Sequence, residues 1–207
     1  YVEATEAYTI AINTAKQAQD HNVRLFAELG LINILRDRGN LPGVEKALDA
    51  LLAEVTQYLP DALPAQVKIL HSRGSIRQVR GQYTEAINDF FTAYEGSKDP
   101  QERDLILTEL GVCASDAGFR TIAKDALSIS VMTAINPLAR QTAIVNLIEI
   151  ATLDGNQLEF ERQRREFQPR FGNPTLNAFA ELFIARGIER FEGREEARIA
   201  YRDVAES

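Results

Sequence analysis

Apolar residues along this chain recur at spacings of three and four, the pattern of one buried face of an α-helix, in segments of about four to five turns. The segments restart at a constant interval of thirty-seven residues, at Asp99-Pro100, Asn136-Pro137 and Asn173-Pro174. Asp or Asn before Pro is typical of a helix start, because the short side chain accepts a backbone N–H and Pro lacks only a donor that would have no partner there. The spacing therefore predicts equivalent helices.

Glycines keep the same interval and mark where each of these helices ends. Gly81, Gly118 and Gly155 are thirty-seven residues apart and follow an apolar segment, where a helix C-terminus favours a left-handed residue. A second amphipathic segment follows each glycine, with Ala86, Ala123, Phe160 and Ala197 at matching places. On the first helices, Gly74 and Gly111 would permit close helix contact. The repeating unit is a helix, a tight turn, a second helix and a capped loop.

One such hairpin cannot bury its apolar stripe alone, whereas stacked hairpins form a continuous core. We therefore predict an all-α fold, a right-handed α-α superhelix of about five hairpins plus a leading half-repeat. Towards the N-terminus, residues 23–39 and 43–59 read as one hairpin with 40–42 as an enlarged turn, and 63–81 begins the next. Residues 3–19 read as a second helix without its first. We expect residues 1–207 to form a single solenoid domain, as a fragment of a longer protein.

The segment RGSIRQVRGQYTEAINDFFTAY, residues 73–94, resembles the tetratricopeptide repeat (TPR). The large-small pair of the family's first helix is matched by Leu110-Gly111. The turn glycine with an aromatic residue two positions later is matched by Gly81 and Tyr83. Three residues of the second helix are matched by Ala86, Phe90 and Ala93. The chain departs from this pattern at Ile148, Phe160 and Arg164. The resemblance implies recognition of a protein or peptide, along a concave groove lined by the first helices, without chemistry of its own. The longer repeats are similar to those of bacterial regulatory and sensor proteins.

The net charge and the single cysteine limit the classes of partner and the compartment that we expect for this chain. The formal net charge is -7, so the summed field repels phosphate backbones and anionic lipid head groups. No apolar run reaches the roughly 18 residues of a membrane helix. We therefore expect neither nucleic acid nor membrane as a partner of this segment. Cys113 is the single cysteine, which excludes an internal disulfide and favours a core role in a reducing compartment such as the cytoplasm.

Signals for catalysis are few. The chain contains no phosphate loop, nucleophile elbow or dinucleotide fingerprint, and its two histidines, His21 and His71, are not spaced as helical metal ligands. We place His21 in an interhelical loop. The sequence predicts no enzyme activity, catalytic residue, cofactor or metal. A basic cluster is interleaved with glutamates, which favours a solvated, salt-bridged face, with an acidic or phosphorylated partner as the alternative. Its members are Arg162, Arg164, Arg165 and Arg170.

The candidate site is the surface that the first helices would present. If Arg73 and Gly74 face their own second helix, helical spacing turns another set of side chains towards the groove. These candidate groove residues are Lys68, His71, Ser75, Gln78, Thr108, Val112, Ser115 and Glu149. Hydroxyls, aliphatic groups and one acid suit an extended or helical peptide. Each of these residues could instead pack against the adjacent repeat.

Two functions remain open from the sequence. The leading hypothesis is a scaffold or adaptor that binds a protein or peptide in its groove. The alternative is a regulatory domain, sensing a ligand or peptide, within a bacterial transcriptional regulator or signalling protein. A homodimer is also conceivable, because the ends of a solenoid expose apolar stripes unless they are capped.

Overall fold

The chain folds into helices joined by short turns, in a computed structural model that describes residues 2–59, 61–168 and 173–206 except the side chains at 37, 203, 204 and 206. The helices fall into two compact units, Tyr1–Asp99 and Pro100–Ser207. In the described ranges there is no strand. The prediction of an all-α helical repeat is confirmed, whereas a single domain over 1–207 stays a prediction.

In its described residues, the first unit consists of five helices. They are α1 (Val2–Ala18), α2 (His21–Asp37), α3 (Leu41–Tyr58), α4 (Leu63–Val79) and α5 (Tyr83–Gly96). Each helix packs against the next one along the chain, and α2 also contacts α4. Buried aliphatic residues of α2, α3 and α4, among them Leu25, Leu48 and Ile69, form the core of this unit.

The part of the second unit that the structure describes consists of six helices. They are α6 (Pro100–Asp116), α7 (Arg120–Thr133), α8 (Pro137–Asp154), α9 (Gln157–Glu166), α10 (Pro174–Phe191) and α11 (Arg194–Glu206). Within the hairpins, α6 packs on α7, α8 on α9 and α10 on α11. Between hairpins, α8 contacts both α6 and α10, so the first helices are neighbours. Each hairpin therefore shields the apolar side of the next.

Helix starts and ends obey the local rules that the repeat predicts. The Asn136 side chain accepts the backbone N–H of Leu138 at 3.0 Å, and Asn173 accepts that of Leu176 at 3.0 Å, each with Pro in the first turn. At the other ends Gly81, Gly118 and Gly155 have φ of 74°, 78° and 71°, the left-handed conformation.

Two boundaries near the N-terminus differ from expectation. The Asn40 side chain accepts the N–H of Gly43 at 3.2 Å, so α3 begins at Leu41 and residues 40–42 are a helix start rather than an enlarged turn. Likewise His21 lies in the first turn of α2 and not in a loop, because Asp20 caps that helix through the N–H of Val23 at 3.0 Å. Both reassignments follow from Asn and Asp acting as N-caps.

Phe160, at a repeat position where other hairpins carry alanine, has a compensating partner. Its ring is fully buried against Gly187 of α10, where an added Cβ would lie 2.0 Å from the ring. The equivalent pair one repeat earlier is Ala123 and Ile150, with the same separation in sequence. The large and the small side chain have exchanged places between neighbouring helices. The core therefore stays packed although Phe160 departs from the repeat pattern.

No helix within the described part of the chain is both long and apolar enough for a membrane span.

Candidate functional site

A groove of about 380 Å³ opens in the second unit where α6, α8 and α10 lie side by side. Its volume falls in the range of about 300–1,000 Å³ that binding pockets occupy. The side chains that shape it come from all three first helices and include Leu105, Glu109, Leu138, Thr142, Thr175 and Phe179. The repeat thus places residues far apart in sequence along one depression.

The groove combines apolar surface with hydroxyl groups. Phe179 is 51% exposed and Leu138 is 38% exposed, so both keep apolar surface in contact with solvent. Thr142 and Thr175 lie nearby in the lining and supply groups that both donate and accept hydrogen bonds. The lining therefore offers an exposed aromatic ring and hydroxyl groups in one depression.

Side chains at equivalent repeat positions hold the hairpins in register around the groove. The Asp104 carboxylate of α6 accepts the N–H of Ile135 at 2.7 Å and of Asn136 at 2.9 Å, which fixes the loop before α8. Thirty-seven residues on, Gln141 of α8 accepts the N–H of Gln168 at 3.1 Å. First helices therefore fix the entry of the following hairpin with a side-chain oxygen, a role that the sequence analysis missed.

The predicted groove residues of the second unit occupy different depths. Thr108 lies at the groove floor but is 2% exposed, and its hydroxyl donates to the backbone oxygen of Asp104 and lies 3.0 Å from the Ser130 hydroxyl. The Thr108 hydroxyl is therefore used in contacts inside the protein, within α6 and between α6 and α7. Val112 and Ser115, further along α6, are half-buried.

Glu149 continues the α8 face about two turns beyond Thr142 and is also half-buried. Burial raises the pKa of its carboxyl above the ordinary value, Arg186 of α10 opposes that rise, and the charge of Asp116 of α6 adds to it. The carboxylate lies 3.8 Å from the Arg186 guanidinium. Charged side chains of α6, α8 and α10 therefore interact with one another at this end of the face.

In the first unit the four predicted residues lie on α4. Lys68 is exposed, with its Nζ 5.1 Å from the ring centre of Phe26 on α2. The His71 ring packs edge-on against Phe90 of α5 with centroids 5.9 Å apart, and the Ser75 hydroxyl donates to the His71 backbone oxygen at 3.2 Å. Gln78 is half-buried. Whether these residues contact a ligand stays a prediction.

A charge network on α3, α4 and α5 was missed from the sequence. The buried Asp89 carboxylate accepts two N–H groups of Arg73, at 2.9 and 2.6 Å, and one of Arg77 at 2.9 Å. Arg73 also contacts Asp49 at 2.7 Å, and Arg77 contacts Glu45 at 3.1 Å. The network joins three helices and is structural in character.

A signal for this network was present in the repeat itself. Arg73 stands at the position occupied by Leu110, Leu147 and Ile184 in the later repeats. A charge at a position that is otherwise apolar requires a buried partner.

The basic cluster on and after α9 forms local contacts. Arg162 pairs with Glu159 at 2.6 Å and Arg164 pairs with Glu192 at 3.2 Å, while Arg165 Nε donates to the backbone oxygen of Glu161 at 3.0 Å. These contacts agree with a salt-bridged face. The fourth member, Arg170, lies outside the described residues.

Cys113 is buried in α6. Desolvation by burial, with a smaller effect of the Asp116 charge, raises the pKa of its thiol to about 12. A thiol in this state is a core side chain and not a nucleophile at neutral pH. Across the residues that the structure describes, no group of three or more His, Cys, Asp and Glu side chains is arranged to hold a metal ion.

Helix hairpins at a constant interval, first helices that neighbour one another and an open groove along them define an all-α helical repeat protein. Among known structures, the crystal structure of nearly identical TPR-like repeats assigned to a kinesin light chain of Podosopora anserina superposes with a TM-score of 0.72 at 17% identity, covering 90% of this chain and 96% of that one. A variant of that protein gives a TM-score of 0.73 at 16% identity, covering 88% and 93%. This chain therefore has the TPR-like repeat fold.

Comparison of sequences adds no relative, since neither a protein-family model nor a curated protein matches the chain. The fold as a class mediates protein–protein interaction.

Proposed function

We propose that this chain is a protein-binding module and that the groove on α6, α8 and α10 holds a peptide segment of its partner. The observation that carries the proposal is the exposed Phe179 ring beside Leu138, in a groove of about 380 Å³. An aromatic side chain left half in solvent on a helical face loses apolar burial that a ligand would restore. The threonines of the lining add hydrogen bonds for the peptide backbone.

The geometry supports a peptide over a flat protein surface. The lining comes from three adjacent helices and forms a depression, which suits an extended chain or a single helix with one or two anchoring side chains. The proposal keeps Val112, Ser115 and Glu149 as residues that a longer ligand would reach, because they continue the faces of α6 and α8.

The test is a selection of peptides from a displayed random library on the intact chain, followed by affinity measurements on variants. Phe179→Ala should weaken binding of the selected peptides by at least about tenfold, since truncating an aromatic hot-spot residue costs about 2 kcal/mol or more and about 1.4 kcal/mol is tenfold. Phe91→Ala is the matched control, because Phe91 is also 51% exposed but lies on α5 outside the groove. Selected peptides that bind the Phe179→Ala chain as tightly as the original would refute the groove.

A further inference from the structure

The face that carries the groove extends into a charged region. On α8, Leu138, Thr142 and Glu149 are separated by four and seven residues and share one side of the helix. On α10, Phe179, Phe183 and Arg186 are separated by four and three residues. The two helices are in contact, and each carries a stripe that begins apolar and ends charged.

The contacts along α10 make this stripe continuous. The Phe179 and Phe183 rings lie 6.0 Å apart, and the Arg186 guanidinium lies 5.9 Å from the centre of the Phe183 ring. Arg186 then reaches Glu149 on α8. The apolar groove and the charged end therefore belong to one surface of the second unit.

Acidic groups outnumber basic ones on this surface. Among the described residues of this face, Glu109 and Asp116 of α6 and Glu149 of α8 contribute three carboxylates, and Arg186 and Arg190 of α10 contribute two guanidinium groups. Arg190 lies one turn beyond Arg186, beside Gly155 at the end of α8.

The Glu149–Arg186 separation of 3.8 Å exceeds a charge-assisted hydrogen bond of about 2.7–2.9 Å, so Glu149 is not closely held by its cation. A second cation would find a complementary field here.

The distance between the two ends sets the spacing in the ligand. From Leu138 or Thr142 to Glu149 is eleven or seven residues of α8, which at about 1.5 Å per residue is roughly 10–16 Å. An extended peptide advances about 3.3 Å per residue, so about three to five residues cover that distance.

We infer that the groove binds a peptide segment with an apolar side chain, seated between Leu138 and Phe179, and a Lys or Arg three to five residues away, facing Glu149 and Asp116. This inference rests on the proposed function and adds the chemistry of the ligand. Complementary charge selects a basic segment and disfavours an acidic one.

Synthetic fluorescent peptides of twelve residues, uniform in Ser and Gly except for one Leu and one charged residue four positions away, provide the probe. Fluorescence polarisation should show that the Leu–Lys peptide binds at least about tenfold more tightly than the Leu–Glu peptide. A Leu–Lys peptide with the two residues adjacent should lose most of that advantage, because its cation stays near the apolar end.

Two variants locate the charge effect. Glu149→Gln should reduce the preference for Lys over Glu to less than about threefold. Glu195→Gln, at an exposed carboxylate of α11, should leave it unchanged. Thermal melting of Glu149→Gln should show no loss of stability, because burial already disfavours the charged form of Glu149. Weaker binding without weaker folding separates a ligand contact from a structural role.

The outcomes distinguish the two proposals. Equal affinity for the Leu–Lys and Leu–Glu peptides, both lost in Phe179→Ala, would overturn the basic-ligand inference and leave the groove in place. Affinity for Leu–Lys peptides that Phe179→Ala does not change would overturn both. A Lys preference that persists in Glu149→Gln would overturn the assignment of the charged end.

Discussion

Replacing Asp89 by Asn should strongly destabilise the first unit. The Asp89 carboxylate is buried and accepts three N–H groups from Arg73 and Arg77. The amide keeps one accepting oxygen but turns a donating NH₂ towards a guanidinium, so at least one of these contacts becomes donor against donor.

The magnitude follows from what remains around the two arginines. Removing one member of a buried ion pair costs about 3–5 kcal/mol. Arg73 keeps Asp49 and Arg77 keeps Glu45, so the lower end, about 3 kcal/mol, is expected. That is a large fraction of the roughly 5–15 kcal/mol by which domains are stable.

Asp49→Asn is the matched control. Asp49 contacts the same Arg73 at 2.7 Å, but its side chain is 48% exposed. An exposed pair contributes about 0–1 kcal/mol, so this variant should unfold almost as the original chain does. The free energy of unfolding from urea titrations followed by circular dichroism measures both. Equal losses for the two variants, or a loss below about 1 kcal/mol for Asp89→Asn, would refute the argument from burial.

Three further changes test the packing and the electrostatics. Gly187→Ala places a methyl 2.0 Å from the buried Phe160 ring, so the melting temperature should fall with a cost of about 1–3 kcal/mol; a rise would contradict the described contact. Burial raises the pKa of the Cys113 thiol to about 12, so this thiol should react with Ellman's reagent at neutral pH only after the chain unfolds. Rapid labelling of the native chain would show that α6 is open. The pKa of Asp154 is lowered chiefly by Lys124, so Asp154→Asn should reduce stability at neutral pH by up to about 1 kcal/mol; the difference should vanish as the pH falls below the native pKa, and a constant difference in urea titrations would exclude this cause.

The architecture was predictable because it depends on local chemistry repeated at a fixed interval. Asn136 and Asn173 cap their helices through N–H groups two or three residues away, and Gly81 ends a helix by its own backbone freedom. Such rules need no knowledge of tertiary contacts. The same rules, applied to Asn40 and Asp20, would have placed the starts of α3 and α2 correctly.

The contacts that distinguish one repeat from another were not predictable in this way. The positions equivalent to Asp89 carry Ala126, Gln163 and Ala200, so the repeat pattern indicates that Arg73 needs a partner but does not place that partner at residue 89. The exchange of size between Phe160 and Gly187 likewise depends on residues of different hairpins that meet only after folding. The spacing identifies equivalent positions, but the side chain that fits at each position depends on the residues that contact it in the folded structure.

For the proposed groove, the sequence predicted residues on α6 and α8 but only part of the lining. Helical spacing predicted Thr108 as a groove residue, and it contributes to the lining. Phe179 was missed, because an apolar residue at helical spacing reads as core until its exposure is known.

The most direct test of the central claim is backbone NMR of the ¹⁵N-labelled chain titrated with a selected peptide. If the groove on α6, α8 and α10 is the binding site, the largest amide shifts should cluster around Leu105, Thr142 and Phe179, and should be absent from Phe91 on α5. Shifts concentrated on the second helices α7, α9 and α11, with the groove amides unmoved, would contradict the account.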